Sequence, residues 1–138
     1  MATYLGKISG PLLDRIDIHL EIPPIKYKEL TERKGAESSA AIRARVEKAR
    51  VIQKMRLQEH GIVCNSQMEA KLMERYCALG EEAQGFLKMA LNELKLSARA
   101  YDKILKVGRT IADLEGSDLI SAQHICEAIQ YRSLDKWH

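Results

Sequence analysis

Ile16, Ile18, Leu20 and Ile22 alternate with Asp17, His19 and Glu21, the period-two pattern of a half-buried strand, and no other stretch of the chain shows it convincingly. Pro23-Pro24 ends the run. A single strand leaves its backbone donors and acceptors without partners. The expectation is therefore a strand whose sheet lies in protein upstream of this sequence. A purely helical module has no use for one.

The rest of the chain reads as helix. Ser9-Gly10-Pro11 suits a helix entry, because proline is tolerated where its missing N–H had no partner. That helix must be short, since the pattern changes at Ile16. A second short helix is expected over 25–33, then a loop through Lys34-Gly35-Ala36. Ser38 or Ser39 starts a long helix running to about His60, with Gly61 as its stop. It carries Arg43, Arg45, Lys48, Arg50, Lys54 and Arg56 against Glu47 and Glu59.

Asn65 and Ser66 are read as caps of a helix through Cys77, with Met68, Leu72, Met73 and Tyr76 on its apolar face. A further helix covers 81–94 and buries Phe86, Leu87, Ala90 and Leu94. Ser97 caps a helix to Leu114, stopped by Glu115-Gly116, with Tyr101, Ile104, Leu105, Gly108, Ile111 and Ala112 as its stripe. Gly108 in mid-helix costs about 1 kcal/mol against alanine, so a close helix crossing is expected there. Ser121 caps the last helix, with Ile125, Ala128 and Ile129 inward. The fold class is mainly α: a helical bundle preceded by a short helix-strand remnant.

Aromatic residues make up only 5% of the 138, which argues against a β-sandwich or barrel. Hydrophobic residues at 46% and charged ones at 30% are an ordinary globular balance. No apolar run nears the roughly 18 residues of a membrane span, and Met1 to Gly10 has no secretory pattern, so a cytoplasmic protein is expected. Cys64, Cys77 and Cys126 are odd in number and widely spaced, which reads as reduced, mostly buried thiols rather than disulfides or a zinc site. A net charge of +3 is too mild to name nucleic acid as a partner.

Catalytic patterns are missing. The chain has no GxxxxGK[ST] phosphate loop, no HExxH, no GxSxG and no Cys/His cluster at metal spacing. Its near miss, Gly108-Arg109-Thr110, sits inside a helical pattern. His124 and Cys126 lie two apart on a helix and point to different faces. The four histidines are scattered and read as surface or core residues.

Arg99 is the exception. It falls two residues after the cap Ser97, where its charge opposes the positive end of the helix dipole, at a cost of roughly 0.3–1 kcal/mol. Either it bends away into solvent, or an anion such as phosphate meets it at the helix N-terminus. Arg15, between Asp14 and Asp17, reads from pattern alone as a surface salt bridge.

The string Lys7-Ile8-Ser9-Gly10-Pro11-Leu12-Leu13-Asp14-Arg15-Ile16-Asp17-Ile18 resembles the segment that closes the ATPase core in magnesium-chelatase-like AAA+ proteins of the ComM and YifB group. The strings Leu96 to Val107 and Arg109 to Leu114 look like the lid of the same family, and Ala128-Ile129-Gln130-Tyr131-Arg132 matches its usual end. The resemblance covers nearly the whole chain and is weakest across 26–78. Gly108 stands where the family usually has alanine, and Trp137 and His138 extend past the matching region.

The resemblance implies a division into 1–24 as the end of the AAA+ core, 25–61 as a linker helix and long basic helix, and 62–138 as the helical lid. It gives Arg15 the place of an arginine finger, reaching the γ-phosphate of ATP on a neighbouring subunit, with Asp14 helping to orient the interface. Arg99 takes the sensor-2 position, touching nucleotide within its own subunit. ATP and Mg2+ are implied for the full-length protein, with none bound by this piece, which is not itself an enzyme. The implied partners are the upstream core and other copies in a ring, a hexamer, with DNA as a candidate substrate through branch migration in natural transformation. Insertion of metal into a porphyrin is not implied.

Two other readings stay open. One is a free-standing nucleic-acid-binding module that uses the basic helix 38–60. The other is a structural adaptor without a ligand, which leaves the lone strand unexplained.

Overall fold

The computed structural model describes residues 10–24 and 36–132. These form six α-helices: α1 Gly10–Leu13, α2 Ser39–Leu57, α3 Ala70–Tyr76, α4 Glu81–Leu94, α5 Ala98–Glu115 and α6 Ala122–Gln130. The helix expected over 25–33 lies outside the described residues, as do Trp137 and His138.

The helix ends follow from local chemistry. The hydroxyls of Ser38, Ser97 and Ser121 accept the first free N–H groups of α2, α5 and α6. At Ser121 the bond is reciprocated, because His124 Nδ1 accepts from the Ser121 N–H at 3.0 Å. Gly61 at φ 71° and Gly116 at φ 78° end the long elements in the left-handed conformation that glycine takes without strain.

α5 is the axis of the bundle, with α2, α3 and α6 packed against it and α4 packed on α6. Leu57, Leu87, Ile104, Ala112 and Ile125 are almost fully enclosed and form one continuous core with Met68, Met73 and Leu105. Leu57, near the end of α2, belongs to that core, whereas residues 39–48 of the same helix are all exposed. A Cβ at Gly108 would lie 3.0 Å from Ile125 Cδ1 and 3.6 Å from Ile120 Cγ2, so the expected close crossing is the α5–α6 contact. Among the described residues no helix is long and apolar enough to cross a membrane.

Four expectations need correction. Residues 16–22 do not form a strand; the bridge found among the described residues is a single parallel pair, Leu79 with Ile120. A strand is defined by a ladder, and nothing among the described residues offers 16–22 a second row of backbone groups. Its alternation survives only as exposure: Ile16, Ile18, Leu20 and Ile22 are all open.

The helix expected from Asn65 to Cys77 is broken. A 3-10 turn covers Asn65–Gln67, Met68 is extended at ψ 130°, and α3 begins at Ala70 without a side-chain cap. The reason is Asn65, whose amide is directed into α5 instead of capping. On the stripe of α5, Tyr101 proves exposed at 39%, and Phe86 and Leu94 on α4 are only partly buried. Of the cysteines only Cys77 is buried, and burial pushes its thiol up to about 11; Cys64 and Cys126 are half-buried.

Candidate functional site

The first turn of α5 organises the site. The Ser97 hydroxyl accepts from the Ala100 N–H at 3.1 Å and donates to Asp14 Oδ1 at 2.7 Å. That bond, with help from Arg99, holds the Asp14 carboxyl below its usual range. Arg99 Nη1 lies 3.5 Å from Asp14 Oδ2, and its side chain is 65% exposed. So long and wet a contact is weak and easily exchanged for a better anion.

The chain that carries Asp14 and Arg15 is strapped along the bundle. Arg15 and Ile16 close the turn after α1, their N–H groups donating to Leu12 and Leu13 carbonyls at 3.0 Å each. The Arg15 carbonyl accepts from Lys103 Nζ at 2.9 Å, and the same ammonium pairs with Asp17. The next carbonyl, of Ile16, accepts from the Arg132 guanidinium. His19 is buried, with its N–H donating to the Tyr131 carbonyl at 2.6 Å and its Nε2 3.2 Å from the Leu13 carbonyl.

Between this strap and α5 runs an open groove of about 710 Å³, with Ile18, Leu20, Val107 and Ile111 on its walls and Arg99, Lys103 and Lys106 among its cations. Both flagged arginines are exposed. Asp14 is the link between them: it neighbours Arg15 in the chain and touches Arg99 across space. The arrangement can bind an anion and orient it; it offers no paired nucleophile and base. Among the described residues no three His, Cys, Asp or Glu side chains converge to hold a metal.

A second polar cluster went unread in the sequence. Asp113, fully enclosed, accepts from Arg109 Nε at 3.1 Å, from Arg56 Nη1 at 3.1 Å and from Asn65 Nδ2 at 2.8 Å. Arg109 also donates to the Ser117 and Asp118 carbonyls, fixing the α5–α6 loop. Burial lowers the Arg109 pKa, opposed by the Asp113 charge. The available signal was position: Arg109 and Asp113 each follow a core residue, Gly108 and Ala112, along α5.

The cluster also changes the basic helix. Arg56 turns inward to Asp113, which removes one of the six cations from a free basic face, while Arg45 pairs with Glu37 at 2.6 Å and stays exposed.

Comparison with known proteins places the chain. The family model described as magnesium chelatase, subunit ChlI C-terminal, matches residues 36–132, and the one described as magnesium chelatase, subunit ChlI, matches residues 1–30. The chain is 44% identical over 133 residues to the competence protein ComM of Haemophilus influenzae, covering 95% of this chain and 25% of that protein. It is 42% identical over 135 residues to YifB of Salmonella typhimurium, covering 96% and 26%. It is 33% identical over 129 residues to Mb2921c of Mycobacterium bovis, covering 94% and 25%. It thus spans about a quarter of the length of the curated relatives it matches. By the extent of these matches the chain belongs to the magnesium-chelatase-like family, whose members are AAA+ ATPases, and it carries that family's C-terminal domain.

Proposed function

We propose that this chain is the lid and sensor region of a ring-forming ATPase, in which Arg15 and Arg99 meet the phosphates of a nucleotide held elsewhere. The observation that carries this is the Asp14 carboxylate, which binds the α5 cap through Ser97 and touches Arg99 while standing next to Arg15. Asp14 and Arg15 share a peptide bond, with Cα atoms about 3.8 Å apart, so the backbone of Arg15 lies near the carboxylate that Arg99 touches. Arg15 would act as the finger: always charged and forked, it suits phosphate oxygens on which negative charge develops during transfer. Arg99, already at a helix N-terminus, would release Asp14 in favour of a phosphate.

The resemblance alone implied that the two arginines serve different nucleotides, Arg15 a neighbour's and Arg99 its own. Their shared link through Asp14 favours a different division. Both belong to one surface of one subunit, and both reach the ATP of the adjacent copy. ATP and Mg2+ remain cofactors of the whole protein, and the guanidiniums here fit phosphate, whereas no described acidic group is arranged for the metal. DNA remodelling, including branch migration, is the work proposed for the ring, on the family likeness and the competence role in the name of the Haemophilus relative. The reading of this chain as a free DNA-binding module is weakened by the inward turn of Arg56.

The test is Arg15→Ala in the full-length protein. Hydrolysis should fall by about 10³-fold or more, the scale on which arginine fingers act, with nucleotide affinity nearly unchanged. Wild-type turnover would overturn the assignment.

A further inference from the structure

Lys103 and Arg132 both lie in the stretches that resemble the family, and both bond the backbone of the turn that carries Arg15. Lys103 Nζ, from the second turn of α5, donates to the carbonyl of Arg15 itself at 2.9 Å and pairs with Asp17 two residues on. Arg132, buried just beyond α6, donates to the following carbonyl, that of Ile16. Two cations from two different helical regions therefore grip successive peptide groups of the turn that aims Arg15. Asp14 ties the same turn to the head of α5 through Ser97. The turn has few apolar anchors of its own: Leu13 is buried, but Leu12, Ile16 and Ile18 are exposed.

We propose that Lys103 and Arg132 are positioning residues for Arg15, so that the orientation of the arginine is set by the lid helices and changes when they tilt. Asp17 neutralises the Lys103 ammonium and keeps it at the turn. A lid that senses nucleotide through Arg99, four residues before Lys103 on the same helix, then moves Arg15 with it as one body. The inference rests on the reading of Arg15 as an arginine finger, but the clamp itself is a property of this chain and can be tested separately.

The test uses Lys103, whose loss leaves the core intact. In this chain, Lys103→Ala should speed amide exchange at Arg15 and Ile16 by about tenfold, through local opening of the turn, while the amides of Ile104 and Leu105 keep their protection. Unchanged exchange at Arg15 and Ile16 would overturn the clamp, whatever the function of Arg15. In the full-length ATPase, Lys103→Ala should lower kcat about 10–100-fold with KM and nucleotide affinity nearly constant, as expected when a reacting group is misplaced. Lys103→Arg, which keeps a charged donor, should recover most of that loss. The double variant Arg15→Ala/Lys103→Ala should be no slower than Arg15→Ala alone, because both act through one group. A slower double variant, or full kcat in Lys103→Ala, would overturn the positioning role. Wild-type turnover in Arg15→Ala combined with the predicted exchange result would instead remove the finger assignment and leave the clamp standing.

Discussion

Asp113 has no exposed side-chain surface, yet it faces Arg109, Arg56 and Asn65 at once. A buried carboxylate is tolerable only when its charge and lone pairs are all answered, and here three donors from three elements answer it. Replacing it leaves Arg109, itself 3% exposed, without its counter-charge. Asp113→Asn should therefore destabilise the chain by about 3–5 kcal/mol in urea denaturation, the usual cost of removing one partner of a buried pair. A loss under about 1 kcal/mol would mean that the Ser117 and Asp118 carbonyls satisfy Arg109 without it. The sequence did not reveal this cluster, because Arg109 and Asp113 at i and i+4 are spaced like any exposed helix pair. Arg99 was legible for the opposite reason. A cation in the first turn of a helix breaks a local electrostatic rule, which left solvent or an anion open, and in the structure Arg99 is largely exposed with Asp14 Oδ2 3.5 Å away.

Among the elements, α5 was the most readable. Its cap at Ser97, its stop at Gly116 and its buried face at Ile104, Leu105, Gly108 and Ala112 follow from residue type and helical spacing. Short-range signals suffice where each turn of the helix agrees with the next. They fail where a side chain is drawn elsewhere, as at Asn65, or where the partner lies beyond the pattern, as with the alternating run at 16–22. Gly108 sits in the α5–α6 crossing, against the far end of the Ile125 side chain. Gly108→Val would bring two further methyl groups against Ile125 and Ile120, both almost fully buried. The expected cost is about 1–3 kcal/mol by thermal or urea denaturation, the range for overpacking. A variant as stable as the parent would show that the crossing has slack.

At the scale of the whole molecule, the helical bundle and the strap at 10–24 are joined by polar bonds more than by apolar contact. Lys103, Arg132, Ser97 and Tyr131 hold the strap, and among its residues 11–24 only Leu13 and His19 are buried. Such a joint transmits orientation, which is what a sensor coupled to a finger requires. It also brings the backbone of Arg15 and the side chain of Arg99 to the same carboxylate, Asp14, as partners at a single nucleotide would be. Subunit mixing tests that claim most directly. Full-length Arg15→Ala subunits would be combined with Arg99→Ala subunits, mixed assembly verified by co-purification of differently tagged copies, and ATP turnover measured. If both arginines reach the neighbour's ATP, every interface still lacks one of them, and mixing should restore no activity. If instead Arg99 served its own subunit and Arg15 the next, some interfaces would regain both, and turnover rising well above that of either variant alone would contradict the account.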